Sequence, residues 1–94
     1  MSASTERRDE LMNRLRGEAT GCYSWSNGPG DRYPPHSHEY EKVLYCVDGD
    51  ITFVLDGGAR RLVLKSGDRM ALPAGTVHSA EVGPEGCACI EGRR

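Results

Sequence analysis

Aromatic residues are scarce in this chain. They make up 6% of its 94 positions, with one tryptophan and one phenylalanine. A core in such a chain must be assembled largely from aliphatic side chains, and the length suits a single modest domain. No apolar run approaches the roughly 20 residues that cross a bilayer as a helix, so no membrane partner is expected. No block of like charge occurs, and the formal net charge is -2. Both features argue against a nucleic-acid partner. The first ten residues lack the apolar segment of a signal peptide, so the expected compartment is the cytoplasm. Cysteines there stay reduced. Cys22, Cys46, Cys87 and Cys89 contain no CxxC pair, and their spacing matches no common zinc module. They read first as small buried or near-surface residues.

Glycine is plentiful, with 12 residues. Turn residues recur at about ten-residue spacing through most of the chain, with β-prone runs between them. The runs at 43–47, 51–55, 59–64, 69–72, 76–82 and 87–91 are the expected strands. Asp48-Gly49-Asp50, Asp56-Gly57-Gly58, Ser66-Gly67-Asp68 and Gly83-Pro84-Glu85-Gly86 are the expected turns. Residues 5–16 read as a short amphipathic helix, with Thr5 as cap, Gly17 as stop, and Leu11, Met12 and Leu15 as its thin apolar stripe. That stripe can cover the barrel or a second copy of the chain. The expected division is a helical segment at 1–20 and a β-domain at 21–94. The expected fold is all-β, an antiparallel sandwich or barrel with one N-terminal α-helix.

The three histidines fall at His36, His38 and His78. In a strand, side chains two apart share a face, so His36 and His38 should aim at one point. Lys42, Leu44 and Cys46 carry the same parity and should face inward with them. Pro34 and Pro35 stiffen the approach to His36. Rigid backbone ahead of a ligand pair lowers the entropy lost on binding. Trp25, Tyr33, Tyr40 and Tyr45 are candidates for a pocket wall, a subunit contact or simple packing.

These residues form two ordered motifs. Gly30, His36, His38 and Gly49 match the first, and Gly67, Pro73, Gly75 and His78 the second. Together they resemble the cupin superfamily over roughly residues 22–92. The resemblance implies a double-stranded β-helix, or jelly-roll barrel. It also implies a divalent transition metal (Fe, Mn, Ni, Zn or Cu) on His36, His38 and His78, with a small molecule as ligand. Family members include dioxygenases, isomerases, decarboxylases and non-catalytic binding modules, and fold does not choose among them. The resemblance, together with barrel edges that need covering, implies a homodimer, and residues 22–25 could supply an edge or exchanged strand.

Lys42 departs from the pattern, because the family usually has a metal-binding glutamate there. Val82 replaces an asparagine that is variable in the family and not a ligand. Three arrangements follow for Lys42. The lysine can turn away or pair with an acid, with Glu91 the candidate, while three imidazoles still bind the ion. A β-bulge can bring Glu41 in as a replacement ligand. Or the pocket holds no metal and binds a small organic anion. A site of three neutral imidazoles keeps the full charge of a dication and favours an anionic or chelating ligand. An oxygenase-type enzyme and a non-catalytic sensor module both fit that description. Cys46 is a further candidate near the site, as a ligand or an oxidation target.

Overall fold

In the computed structural model, described over residues 3–94, one helix leads into a barrel of six antiparallel strands. Met1 and Ser2, which open the expected helical segment, lie outside the described residues. Helix α1 spans Ala3–Arg16. The strands are β1 (Thr20–Asn27), β2 (Arg32–His36), β3 (Lys42–Leu55), β4 (Arg60–Lys65), β5 (Arg69–Leu72) and β6 (His78–Arg93). A short 3-10 turn, Asp56–Gly58, joins β3 to β4. The main sheet path is β1-β6-β3-β4, with β2 on β6 and β5 on β3.

Helix α1 begins earlier than expected, so Thr5 lies inside its first turn rather than capping it. Its stripe packs on this barrel. Leu11 and Leu15 are buried with Val43, Tyr45, Val47 and Ile90. Burying a leucine is worth about 1.5–3 kcal/mol, enough to hold a helix whose polar face gains little. Arg7 secures the same end by donating to Asp48 Oδ1 at 2.7 Å and to the Val47 carbonyl at 3.0 Å. Glu18, just past the helix, ties three elements together. It accepts Tyr45 Oη at 2.6 Å and Arg69 at 2.6 and 3.0 Å, and it lies 3.9 Å from Arg94. Residues 22–25 belong to β1 and pair with β6 of the same chain, Trp25 opposite Cys89.

Two expected turns do not reverse the chain. β3 and β6 each run unbroken and pair along their length, from Lys42 opposite Arg93 to Leu55 opposite His78. At Asp48-Gly49-Asp50 the strand bends instead. Register slips between Cys46 and Asp48, and again between Gly49 and Ile51. Asp50 alone then stands against Gly83, Pro84, Glu85 and Gly86. Gly49 has φ 71, and a side chain there would strike the Gly86 carbonyl. Gly49 adopts the positive φ expected of the turn, but it serves a corner rather than a hairpin. The slip also switches which residues face inward. Leu44 and Cys46 point into the barrel before it, and Ile51, Phe53 and Leu55 after it. α1 covers the outer face of the first half only, so residues 43–47 are buried whichever way they point.

Candidate metal centre

Two different devices bring the histidines together. His36 is the last residue of β2 and stands opposite His78, the first residue of β6. That cross-strand pairing puts their ring centroids 4.3 Å apart. His38 lies beyond the end of β2, in the loop to β3, so strand parity does not aim it. Its backbone is pinned instead by Gly75 N–H donating to the His38 carbonyl at 2.8 Å. The His38 ring lies 5.0 Å from His36 and 5.4 Å from His78. One ligand-type nitrogen from each of the three falls within 4.8 Å of the others. Nitrogens sharing one ion at about 2.0–2.1 Å are roughly 3–3.5 Å apart, so modest ring rotations bring the trio to that spacing.

The outer nitrogens are oriented by the chain itself. His36 Nδ1 donates to the Pro34 carbonyl at 2.8 Å, and His78 Nδ1 donates to the Thr76 carbonyl at 3.0 Å. A carbonyl can only accept, so each Nδ1 carries the proton and each Nε2 keeps its lone pair. Both acceptors lie two residues before their histidine. That repeated offset was visible in the sequence but carried no meaning without the backbone path. His38 Nε2 and His78 Nε2 are buried and have no hydrogen-bond partner. Burial lowers the pKa of both rings, and the nearby Lys42 charge lowers that of His38 further. Neutral imidazoles with lone pairs free are the form that binds a metal.

Beside the trio lies a cavity of about 340 Å³, bordered by His36 and His38 and by the aromatic residues Trp25, Tyr33, Tyr40 and Phe53. Tyr40 stacks on His38 at 4.9 Å and is capped by the Arg93 guanidinium at 4.3 Å. Sequence reasoning did not find Arg93, which has no motif to mark it. Trp25 meets Tyr33 edge-on at 6.0 Å.

Lys42 lines this cavity and is buried, 7% exposed. Its Nζ lies 3.3 Å from Glu91 Oε1 and 5.8 Å from the centre of the Phe53 ring. Glu91, 6% exposed, also receives Trp25 Nε1 at 2.7 Å. Burial and the same carboxylate push the Tyr23 hydroxyl up to about 12. Lys42 is not on a continuous strand with the histidines. It opens β3, after a loop.

Glu41 does not enter the site. Its carboxylate accepts Arg94 Nε at 2.6 Å, and the two backbones exchange hydrogen bonds. The bulge that could have brought it inward falls after Cys46, and the register from Lys42 to Cys46 is regular. Cys46 is also apart from the cavity. It is buried in the apolar cluster with Cys87 and Cys89, donating weakly to the Asp48 carbonyl at 3.4 Å.

The family model for the cupin domain matches residues 25–90. Quercetin 2,3-dioxygenase of Bacillus subtilis is 45% identical over 56 residues, covering 57% of this chain and 16% of the dioxygenase. Among solved structures, an RmlC-like cupin from Shewanella frigidimarina superposes with a TM-score of 0.65 at 27% identity, over 74% of this chain and 60% of that one. The polyketide cyclase RemF from Streptomyces resistomycificus gives 0.68 at 26%, over 77% and 52%. The DMSP lyase DddQ from Ruegeria pomeroyi gives 0.70 at 23%, over 78% and 36%, a likeness of fold alone. The chain thus spans a minor part of the dioxygenase and just over half of the first two structures.

Proposed function

This chain belongs to the cupin family, and we propose that His36, His38 and His78 together hold one divalent transition-metal ion beside which a small chelating or anionic molecule binds. The observation that carries this reading is the pair of buried, unpartnered Nε2 atoms on His38 and His78. A buried polar atom left unpaired costs about 1–3 kcal/mol, and a bound ion would offset that cost at both. Bound there, such an ion supplies open coordination positions and polarises an oxygen placed on them. The chain's own residues do the rest. The Pro34 and Thr76 carbonyls hold the imidazoles in the ligand tautomer. Trp25, Tyr33 and Phe53 line the cavity with apolar surface and limit water. Lys42 and Glu91 place a fixed charge pair within reach of a bound molecule.

Similarity to a quercetin 2,3-dioxygenase supports oxygenase-type chemistry. The direct test is oxygen consumption by iron- or manganese-loaded protein offered catechols, thiols and 1,3-diketones. Uptake with at least one class, lost in His36→Ala, is the expected result. Silence across the panel from protein shown to hold metal would leave a second reading, a binding module without catalysis. Lys42 favours that second reading, because it puts an ammonium where the family usually has a ligand carboxylate.

A further inference from the structure

Ion pairs as buried as Lys42 with Glu91 contribute little to stability. Desolvating two charges costs about what their attraction returns, and an apolar pair of similar volume often serves as well. Here the pair sits inside an aromatic-walled cavity rather than in the packed core. It is also incompletely used. An ammonium carries three N–H donors, and Glu91 Oε1, the acceptor facing Lys42 at 3.3 Å, already receives the shorter bond from Trp25 at 2.7 Å. Donor capacity is left on a cation that lines the cavity. Trp25 and Tyr33 meet nearly at right angles, 70°, and Phe53 lies beneath the ammonium. Such walls accept a flat ring more readily than a bulky aliphatic group.

We propose that Lys42 is the specificity-determining residue of this cavity: its ammonium, held by Glu91, receives the anionic oxygen of a planar aromatic monoanion whose ring lies among Trp25, Tyr33 and Phe53. Glu91 and Trp25 are positioning residues, since they act through the lysine. Glu91 also sets the charge limit, because a second negative group on the ligand would meet its carboxylate. The inference rests on the reading of this cavity as a small-molecule site, but the Lys42 contact does not require the metal.

Trp25 is the chain's single tryptophan and lines the cavity, so its fluorescence reports occupancy directly. The probes are 2-naphthoate, a planar monoanion, and 2-naphthamide, its neutral isostere, each titrated into chelator-stripped and zinc-loaded protein. Naphthoate should bind about tenfold tighter than the amide, the range expected for a hydrogen bond to a charged group. Lys42→Arg should keep that preference. Lys42→Met alone leaves Glu91 buried and unpaired, so the decisive variant is the neutral pair Lys42→Met with Glu91→Gln. It should fold and bind both probes alike. Equal binding of the two probes by the native protein, or a preference that survives in the neutral pair, would overturn the proposal. A preference seen in stripped protein that takes up no zinc would support it while refuting the metal reading. Loss of binding only on stripping, with the neutral pair unchanged, would do the reverse.

Discussion

Cys46, Cys87 and Cys89 occupy the same barrel as His36, His38 and His78, and β6 carries members of both trios. All six are side chains that can bind metals. The cysteines cluster about the corner, where Cys46 stands opposite Cys89 and Gly49 opposite Cys87. They are buried among Leu44, Ile51 and Met70. Burial pushes the Cys87 thiol up, and hydrogen bonding with Cys46 together with burial pushes the Cys89 thiol up. A thiol binds metal as the thiolate, so Cys87 and Cys89 stay protonated and act as small apolar packing, whereas the hydrogen bond with Cys89 lowers the pKa of the Cys46 thiol. The histidines meet a different environment. Burial lowers the pKa of His38 and His78, which keeps the ring neutral and its lone pair available. The same desolvation therefore makes packing out of Cys87 and Cys89 and ligand-ready groups out of His38 and His78. The sign depends on which protonation state carries the charge.

The corner between β3 and β6 shapes the cysteine region and sets which residues face inward beyond it, so breaking the corner should have the largest effect. Gly49→Ala drives a methyl into the Gly86 carbonyl at a positive φ, and should cost about 3 kcal/mol or more in urea unfolding. Gly57→Ala, at φ 65 with open space around it, should cost only about 1–2 kcal/mol. Equal losses would mean that the collision plays no part.

Exchanging polarity between the trios should change stability unequally. Cys89→Ser buries a hydroxyl in the apolar cluster and should cost about 1–3 kcal/mol. His78→Leu removes an unpartnered Nε2 from metal-free protein but also the Nδ1 bond to the Thr76 carbonyl, so the two effects offset and stability should change by less than about 1 kcal/mol. Thermal melts of chelator-stripped protein measure both. A loss in His78→Leu as large as that in Cys89→Ser would show that Nε2 has a partner in solution.

Lys42→Glu sharpens the comparison at the histidine end. The variant sets a second carboxylate beside that of Glu91, which should lower metal-free stability. It should also raise transition-metal affinity by about tenfold or more, seen as a larger thermal shift on adding zinc. Weaker binding than in the native protein would place Lys42 outside the ligand sphere.

The smallest effect is expected away from both trios. Hydrogen bonds from Arg69 and then Tyr45 hold the Glu18 carboxyl below its ordinary value. Its folded pKa is depressed, so its stabilising contribution is present above the unfolded value of 4.5 and is lost as pH falls through the folded one. Glu18→Gln should cost less than about 1 kcal/mol at pH 7, and progressively less as pH falls below 4.5.

Much of this was legible in the residues. His36, His38 and His78 stood in two ordered motifs, and the barrel followed from evenly spaced turn signals. The corner was misread because Asp48-Gly49 and Gly83 to Gly86 encode a local φ preference, whereas a hairpin and a bend differ in what the distant partner strand does. The aim of His38 was assigned to strand parity, but it comes from a hydrogen bond to Gly75, a contact between residues far apart in sequence. Glu41 had the right chemistry for a ligand, and only the position of the bulge excludes it. Trp25 and Glu91 meet across the β1–β6 pairing, which no local pattern announces.

The central claim is that three imidazoles share one ion, and elemental analysis of protein purified without a histidine tag tests it most directly. The native chain and a Cys46→Ala/Cys89→Ala variant should each carry close to one transition-metal ion per chain, and His36→Ala/His38→Ala should carry almost none. Unchanged metal in the histidine variant, or loss of metal in the cysteine variant, would contradict the account.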